Sequence, residues 1–483
     1  MAGTVTTRTD RPVSGSVAAG VLAALGAVLV GALAGGDAGP SQLLAVAVTA
    51  MVAGIAVTLS SPVVVYAALA FVLGAIPFAV IPGVGPAILV LSLAVWAGVL
   101  THPLAHLRTH ALEVSVALLI LVSLASVTMS AAGAVHVAEF VKWVIATSLL
   151  FPLMRLSRRD LRVVGLTYAV GAAVGGGFSF FLFLFDRSGT MIGLLSPIGY
   201  GVAGTIGTTL RFFEAGDTSI VRLTGTYVDP NAAGLFLFLG LMLALALMRG
   251  WVRLIAASVI AVALLVSLSR SAIFSVLVAV VVFLIFQKLS TTARFGVLLA
   301  GALAVAGAFA VPAVNARIVN SFDSSDRGTS DRADALANFL PSMQGNWWFG
   351  RGWGAKEFID EVAGYEVNYV ANTPLLTIYR GGLVVGIVFL VLLGIGVVTA
   401  YRSMRTSSWE AGVVGAGFIG FTLVALQLDF PVVTNAAATM MFAIMLAVLA
   451  RYPDLTERAD DVVLDRPVPA GAVHHRTPEV THG

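Results

Sequence analysis

The chain has 483 residues, of which 58% are hydrophobic and only 11% are charged, and its formal net charge at pH 7 is +3. Soluble domains average about 45–50% apolar and about 25% charged residues, so this composition excludes an ordinary soluble protein. Cysteine is absent, which excludes disulfides, cysteine-ligated zinc and thiol catalysis, and the small net charge does not suggest nucleic-acid binding.

Apolar runs long enough to cross a hydrocarbon core of about 30 Å as helices recur along the whole chain. Runs of this length and continuity fit helices rather than barrel strands, because lipid offers no partner to backbone polar groups. The sequence therefore predicts an all-α, polytopic membrane protein with about 14 spans, or 12–13 if the tight connections at Ser61–Pro62 and Pro82–Pro86 join neighbours. The predicted spans are 17–34, 42–60, 62–81, 86–100, 111–131, 138–154, 163–185, 231–248, 252–268, 271–287, 295–313, 372–399, 410–429 and 431–450.

Basic residues fall in alternate short loops, as the positive-inside rule requires of a chain whose two termini are cytoplasmic. Residues 1–16 are then predicted to be a cytoplasmic tail, 17–450 the transmembrane domain and 451–483 a disordered cytoplasmic tail. Long extracytoplasmic loops are predicted at 186–230 and 314–371. As an alternative at the N-terminus, the first apolar run resembles a signal peptide that ends in 31-GALAGG-36.

One arginine, Arg270, interrupts the apolar stretch 264-LLVSLSRSAIFSVLVAVVVFLIF-286. The predicted topology places it at the outer membrane interface, between Ser269 and Ser271, on the side of both long loops. Arginine is a preferred partner of phosphate, because its charge is permanent and its donors form a rigid fork. The alternative is an arginine that snorkels to the interface with no ligand.

Further arginines are predicted on the same side. Arg222 lies in the first long loop, and Arg380 is predicted about two turns below the outer mouth of the span 372–399. An arginine at that depth faces a polar cavity, pairs with an acidic residue such as Asp429, or snorkels upward. Several arginines at one interface suit a lipid-linked pyrophosphate, whose tail stays in the bilayer.

Three pieces of sequence have the order and spacing of a known family. They are 224-TGTYVDPNAAGLFL-237 at the entry to a span, 267-SLSRSAIFSVL-277 with a Ser-Arg motif, and 347-WWFGRGWG-354 followed by a returning helix at 371-ANTPLLTIYRGGLVVG-386. Together they resemble the O-antigen ligase and O-antigen polymerase superfamily of membrane glycosyltransferases. The resemblance covers about residues 220–390 and the overall topology, and it implies a GT-C-like fold.

The resemblance also implies a reaction and its residues. Family members transfer a glycan from a polyprenyl-pyrophosphate donor to an acceptor hydroxyl at the outer face of the bacterial plasma membrane, with arginines and without a metal or cofactor. Arg270 matches the motif arginine and Arg332 the arginine early in the large outer loop, so both are candidate catalytic and pyrophosphate-binding residues. The other candidates are Ser269, Arg222 and Arg380 for the donor, and Gly350, Gly352, Gly354 and Asn372 for a glycan groove.

The chain departs from the family at one position. Ligase-type members carry a histidine immediately before the asparagine of the returning helix, where this chain has Ala371. The missing general base favours a polymerase-type member. Asp229 and Glu366 are candidate replacements and His136 is a further one, with helix capping, a solvated loop or a structural role as the alternatives.

The sequence thus predicts polymerisation or transfer of a glycan, with the lipid-linked glycan, an acceptor glycan or lipid, and membrane lipids as partners. A ligase that transfers finished glycan to a lipid or protein is the first alternative. A transporter or flippase would place charged residues near the midplane of several helices, where this sequence has almost none. An inactive membrane scaffold is a third alternative.

Overall fold

The structure is a computed structural model, and it describes residues 61–81, 84–101, 108–186, 189–200, 210–212, 221–309, 337, 339–353, 372–406, 408–425 and 436–456. The predicted spans 17–34 and 42–60 lie outside these residues, as does most of the predicted loop 314–371.

Helices make up most of the described residues. In chain order they are α1 (Pro62–Ala75), α2 (Ala87–Thr101), α3 (Ala111–Ser130), α4 (Ala134–Ser148), α5 (Leu150–Met154), α6 (Arg158–Phe185), α7 (Pro230–Leu247), α8 (Gly250–Val266), α9 (Arg270–Phe286), α10 (Thr291–Phe309), α11 (Thr373–Gly381), α12 (Leu383–Met404), α13 (Trp409–Ala425) and α14 (Ala436–Thr456). Short 3-10 helices lie at Ile192–Ile198 and Gly225–Tyr227. Two antiparallel pairs of short strands join β1 (Val80–Ile81) to β2 (Gly85–Pro86) and β3 (Leu210–Phe212) to β4 (Val221–Leu223).

Five helical segments of the described residues are long and apolar enough to cross a bilayer: α3, α4 together with α5, α6, α7 and α12. Most of the other helices are apolar and somewhat shorter. The prediction of a mostly helical, polytopic membrane protein is confirmed. The count of about 14 spans stays a prediction.

The predicted span 372–399 is wrong in one respect that matters for the site. The chain forms two helices there, α11 and α12, which are separated by Gly382 with a φ of +85°. A positive φ favours glycine, and this conformation at Gly382 ends α11. The long apolar helix α12 begins only at Leu383, so Arg380 precedes this helix instead of lying two turns inside it.

The predicted start of the C-terminal tail at residue 451 is also wrong. Helix α14 continues through Thr456, and Arg451 is buried, with its guanidinium donating to the carbonyl oxygens of Met154 and Leu156 at 2.9 Å each. Arginine satisfies the free carbonyls at the end of α5 in this way. The rest of the predicted tail, 457–483, lies outside the described residues.

Helix α7 is the most buried of the long helices. Of its apolar window 83% is buried, and it packs against α6, α8, α9, α13 and α14. A helix that is apolar on every side lies in the centre of a bundle. The polar groups at both of its ends must therefore find partners within the protein.

Glycines bring α1 and α6 into backbone contact. A Cβ added to Gly74 would lie 2.4 Å from the carbonyl oxygen of Tyr168, and one added to Gly175 would lie 2.5 Å from that of Ala75. Small residues permit such close helix packing in membranes. Gly175, in the run 172-AAVGGGFSFF-181, thus serves helix packing, and the contact fixes the end of α1 beside the segment that precedes α7.

The C-terminal end of α7 is held by hydrogen bonds from three side chains. The carbonyl oxygens of Ala246, Leu247 and Met248 accept from the Tyr452 hydroxyl at 3.0 Å, Arg162 at 3.4 Å and Arg253 at 2.6 Å, respectively. These bonds satisfy carbonyls that the last helical turn leaves free. Two of the donors are cations, which the negative end of the helix dipole attracts.

Candidate functional site

The first turns of α7 and α9 meet, and each helix begins with a polar cap. Asp229 Oδ1 accepts from the backbone N–H groups of Asn231 at 2.8 Å and Ala232 at 3.1 Å. Ser269 Oγ accepts from the N–H of Ala272 at 3.5 Å. Aspartate and serine are preferred N-caps because their oxygens satisfy N–H groups that lack helical partners.

Gly234 allows the two helices to approach. A Cβ at this position would lie 2.6 Å from Ala272 Cβ and 2.8 Å from Ser269 Cβ. Any larger side chain would push α9 away from α7. The glycine of the motif 224-TGTYVDPNAAGLFL-237 therefore sets the distance between the two helix starts.

Asn231 joins the two helix starts by its side chain. Its Oδ1 accepts from Arg222 Nη2 at 3.2 Å and from Ser269 Oγ at 3.3 Å. Arg222 extends from β4 and also donates through Nε to the carbonyl oxygen of Ser267 at 3.2 Å. We call Arg222, Asp229, Asn231, Ser269 and Arg270 the helix-start cluster.

The backbone is strained immediately before both caps. Val228 and Leu268, with φ of +67° and +51°, are the non-glycine residues of the described chain that have positive φ. Val228 forms a tight turn in which the N–H of Asp229 donates to the carbonyl oxygen of Tyr227 at 2.6 Å. Such residues cost of order 1–3 kcal/mol each and concentrate at functional sites. Both strained residues thus adjoin the helix-start cluster.

Buried side chains hold the strained turn in place. The Tyr227 hydroxyl donates to the carbonyl oxygen of Gly74 at 2.8 Å, and Thr226 Oγ1 donates to that of Ala75 at 2.7 Å. The Tyr200 hydroxyl donates to the carbonyl oxygen of Thr226 at 3.0 Å. The end of α1, fixed by its glycine contact with α6, thus anchors the segment that leads into α7.

Arg270 is the first residue of α9 and is half-buried. The cluster therefore combines two arginines with the positive ends of two helix dipoles, against the single carboxylate of Asp229. Helix N-termini and arginines both bind anions, phosphates in particular. The positive charges and helix dipoles of the helix-start cluster would attract an anion.

A second group of predicted residues lies in residues 346–353, which we call the glycine loop. Its backbone pairs with the end of α11: the N–H of Arg351 donates to the carbonyl oxygen of Tyr379 at 2.7 Å, and that of Gly352 to Arg380 at 3.1 Å. Ser126 of α3 donates to the carbonyl oxygen of Phe349 at 2.8 Å. The described part of the loop is therefore fixed to the helix bundle.

Both described glycines of this loop are close-packed. Gly350 has a φ of +68° and Gly352 a φ of +101°. A Cβ at Gly350 would lie 2.4 Å from the carbonyl oxygen of Arg380, and one at Gly352 would lie 2.4 Å from His136 Nδ1. The loop is further anchored by Trp353, whose buried ring lies 4.4 Å from that of Trp143 between centroids.

Arg380 is buried at the end of α11, and the negative charge of Glu139 on α4 acts on it electrostatically. Asn372 caps α11, with Oδ1 accepting from the N–H of Leu375 at 3.1 Å. The structure thus joins Arg380 to the glycine loop, whereas Arg222, Ser269 and Arg270 belong to the helix-start cluster.

Residues 255–390 match the family model described as O-Antigen ligase. This part of the chain is similar to the O-antigen ligase family. No match was found among curated proteins. The match confirms the resemblance drawn from the sequence and supports glycan transfer at the level of the family.

The O-antigen ligase region includes the Ser-Arg motif, the glycine loop and the returning helix. Arg222, Asp229 and Asn231 precede it, although they contact its residues Ser267 and Ser269. The first motif, 224–237, is therefore joined to the matched region by side-chain bonds.

Several predicted residues are not described. Arg332, Glu366, Gly354 and Ala371 lie outside the described residues, so their roles stay predictions. Asp229 serves as an N-cap, which is the structural alternative that the sequence left open. Within the described part of the chain, no group of three or more His, Asp or Glu residues lies close enough together to hold a metal ion.

The central residue of the cluster, Asn231, was not among the predicted site residues. The sequence shows an Asp-Pro pair typical of a helix start, followed by Asn231. Its partners Arg222 and Ser269 lie 9 and 38 residues away, and no local pattern indicates them.

Proposed function

We propose that this protein transfers or polymerises a glycan, taking it from a polyprenyl-pyrophosphate-linked donor and passing it to the hydroxyl of an acceptor sugar. The reaction takes place at the extracytoplasmic face of the bacterial plasma membrane. The observation that carries the proposal is the helix-start cluster, in which Arg222 and Arg270 meet the N-termini of α7 and α9. The match of residues 255–390 to the O-antigen ligase family supports the same reaction.

In this reaction the acceptor oxygen forms a bond to the anomeric carbon while the bond from that carbon to the pyrophosphate oxygen breaks. The bonding pair passes to the pyrophosphate, which gains negative charge. Arg270 and the two helix N-termini stabilise this charge, since fixed positive groups need no reorganisation during the reaction. The proton of the acceptor hydroxyl passes to a base.

The lipid part of the donor has an apolar surface available. The helices that start at the cluster, α7 and α9, continue as walls of a cavity of about 400 Å³ that they share with α10 and α13. Its lining is apolar and includes Phe238, Met242, Val276 and Phe283. Cavities of about 300–1,000 Å³ are typical of small-molecule sites. A lipid with its pyrophosphate near Arg270 would have its tail beside this cavity.

Polymerisation is favoured over ligation because Ala371 stands where ligase-type members carry histidine. The test is the size distribution of lipid-linked and surface glycans in a deletion strain that expresses wild-type protein, Arg270→Ala or Arg294→Ala. Arg294 is the matched control, because it also lies in the first turn of an apolar helix but is exposed.

We expect the deletion and Arg270→Ala to lose long chains and to leave single repeat units on the lipid, while Arg294→Ala behaves as wild type. Finished glycan stranded on its lipid carrier would instead indicate a ligase. An unchanged size distribution of glycans in the deletion strain would contradict glycan transfer. It would favour the transporter and scaffold alternatives instead.

A further inference from the structure

Three aromatic side chains follow one another in the glycine loop, and all three are exposed. Trp348 is 68% exposed and Phe349 43%, whereas Trp353 of the same loop is buried. Trp347 is 36% exposed, and its ring also contacts that of Phe339 at 6.2 Å between centroids. Single exposed apolar residues are ordinary, but a contiguous apolar patch indicates a surface that contacts a partner or a membrane. We call Trp347, Trp348 and Phe349 the aromatic run.

The aromatic run lies level with the start of a helix that can cross the membrane. The N–H of Leu383, the first residue of α12, donates to the carbonyl oxygen of Trp347 at 2.8 Å. Helix α12 has 22 residues. At about 1.5 Å per residue it is about 33 Å long, close to the hydrocarbon thickness of about 30 Å. Its other end carries the exposed Arg402 and Arg405, so Leu383 and the aromatic run lie at the opposite surface of the bilayer.

Exposed apolar side chains continue from the aromatic run along both neighbouring helices. On α3, Ser126 donates to the carbonyl oxygen of Phe349 at 2.8 Å, and Met129, one turn further along the same face, is exposed. On α12, Val384 and Ile387 are exposed in the first two turns. Apolar side chains on the outside of membrane-spanning helices face lipid tails, which are as apolar as they are. The aromatic run therefore adjoins a lipid-facing surface at the point where that surface ends.

We propose that Trp348 and Phe349 insert into the lipid headgroup layer at the start of α12 and hold the glycine loop on the membrane surface. Tryptophan suits this layer, because its ring is largely apolar while its N–H can remain in contact with water. The exposed Arg351 then lies at the height of the lipid phosphates, with which arginine pairs. This part of the predicted extracytoplasmic loop 314–371 lies on the membrane and not in the water above it. The inference does not depend on the proposed function.

The experiment uses the absence of cysteine from the chain, since single cysteines can be introduced without removing native ones. Trp348→Cys and Phe349→Cys are each labelled with a nitroxide in nanodiscs. Electron paramagnetic resonance then measures the accessibility of each label to oxygen, which concentrates in lipid, and to a water-soluble nickel chelate. Leu390→Cys, at an exposed position of α12 about 10 Å beyond Leu383, calibrates the lipid interior. Arg405→Cys, at the exposed far end of α12, calibrates water.

We expect the labels at Trp348 and Phe349 to be more accessible to oxygen and less accessible to the chelate than the label at Arg405, with values between those of the two calibration labels. A second measurement leaves the loop unlabelled. Brominated lipids should quench the tryptophan fluorescence of the wild-type protein more strongly than that of Trp348→Phe, which keeps an aromatic ring at this position but removes one indole from the membrane surface.

A label at either position that is as accessible to the chelate as the label at Arg405 would overturn the proposal, and would favour an aromatic platform for sugars in the water phase. Labels that neither oxygen nor the chelate reaches would also overturn it, because protein would then cover the aromatic run. Equal quenching of the wild type and Trp348→Phe would have the same consequence. Failure of the proposed function would appear only in the glycan size distribution and would leave these measurements unchanged.

Discussion

The two ends of helix α7 use arginine in opposite ways. At its C-terminal end, Arg162 and Arg253 donate to carbonyl oxygens, and Arg253 also approaches Glu410 at 3.7 Å and stacks over Trp409. Cations there complement the helix dipole and stabilise the fold. At its N-terminal end, Arg222 and Arg270 add positive charge where the dipole is already positive.

Positive charge at a helix N-terminus costs stability, by about 0.3–1 kcal/mol at an exposed position. The backbone is also strained at Val228, immediately before α7, and at Leu268, immediately before the adjoining start of α9. One end of α7 thus holds the bundle together, and the proposed function would explain why the other end combines positive charge with backbone strain.

The largest expected effect is at Arg270. Replacing it by lysine keeps the charge but removes the fork of donors that matches a phosphate. We expect Arg270→Lys to lower the rate of glycan elongation by about 100-fold, in the range found for loss of one preorganised donor. Elongation in membranes measures this, and near-normal activity would argue against a bidentate phosphate contact.

The next effect concerns the spacing of the two helix starts. In Gly234→Ala the new methyl group would contact Ala272 and Ser269. We therefore expect the variant to lose about 1–3 kcal/mol of stability and also to lose glycan elongation. Thermal unfolding in nanodiscs measures the first quantity. Gly394→Ala is the control, since a Cβ there has nothing within 4 Å. Equal behaviour of the two variants would show that the close approach is unimportant.

At the stabilising end of α7, Arg253→Ala removes the bond to Met248. We expect a loss of about 1.5 kcal/mol of stability, as for a hydrogen bond to a charged group, with elongation within about two-fold of wild type. Arg249→Ala, at an exposed neighbouring position, should change neither the stability nor the rate of elongation. If Arg253→Ala lost most of its elongation activity at a temperature where it is folded, the C-terminal end of α7 would also be required for activity. That result would contradict the proposed difference between the two ends.

The smallest effect concerns backbone strain. At the positive φ of Val228, glycine should be more stable than alanine by roughly 1 kcal/mol, the reverse of the usual order. Comparing the melting temperatures of Val228→Gly and Val228→Ala measures this difference directly. A more stable alanine variant would mean that the turn carries no strain.

Much of this arrangement could be predicted from residue patterns, and the failures have physical causes. The Asp229-Pro230 pair correctly indicated a helix start, because capping is a local interaction. The prediction of one span over 372–399 was wrong because it continued the helix through Gly381 and Gly382, a pair of glycines that marks a break.

The centre of the cluster was not predictable in this way. Asn231 acts through Ser269, which is 38 residues away, and this pairing depends on how α7 packs against α9. His136 is separated still further from Gly352 in sequence, and their contact depends on the docking of the glycine loop. Motifs indicated the residue types of the site, but long-range packing decides which of them meet.

The most direct test of the central claim is calorimetric titration of farnesyl pyrophosphate into purified wild-type protein, Arg270→Ala and Arg253→Ala in nanodiscs. If the N-terminal end of α7 binds pyrophosphate, wild type and Arg253→Ala will bind equally, and Arg270→Ala will bind about 10- to 100-fold more weakly, as expected for one charged hydrogen bond. Equal affinity of all three proteins would contradict the assignment of this cluster as the pyrophosphate site.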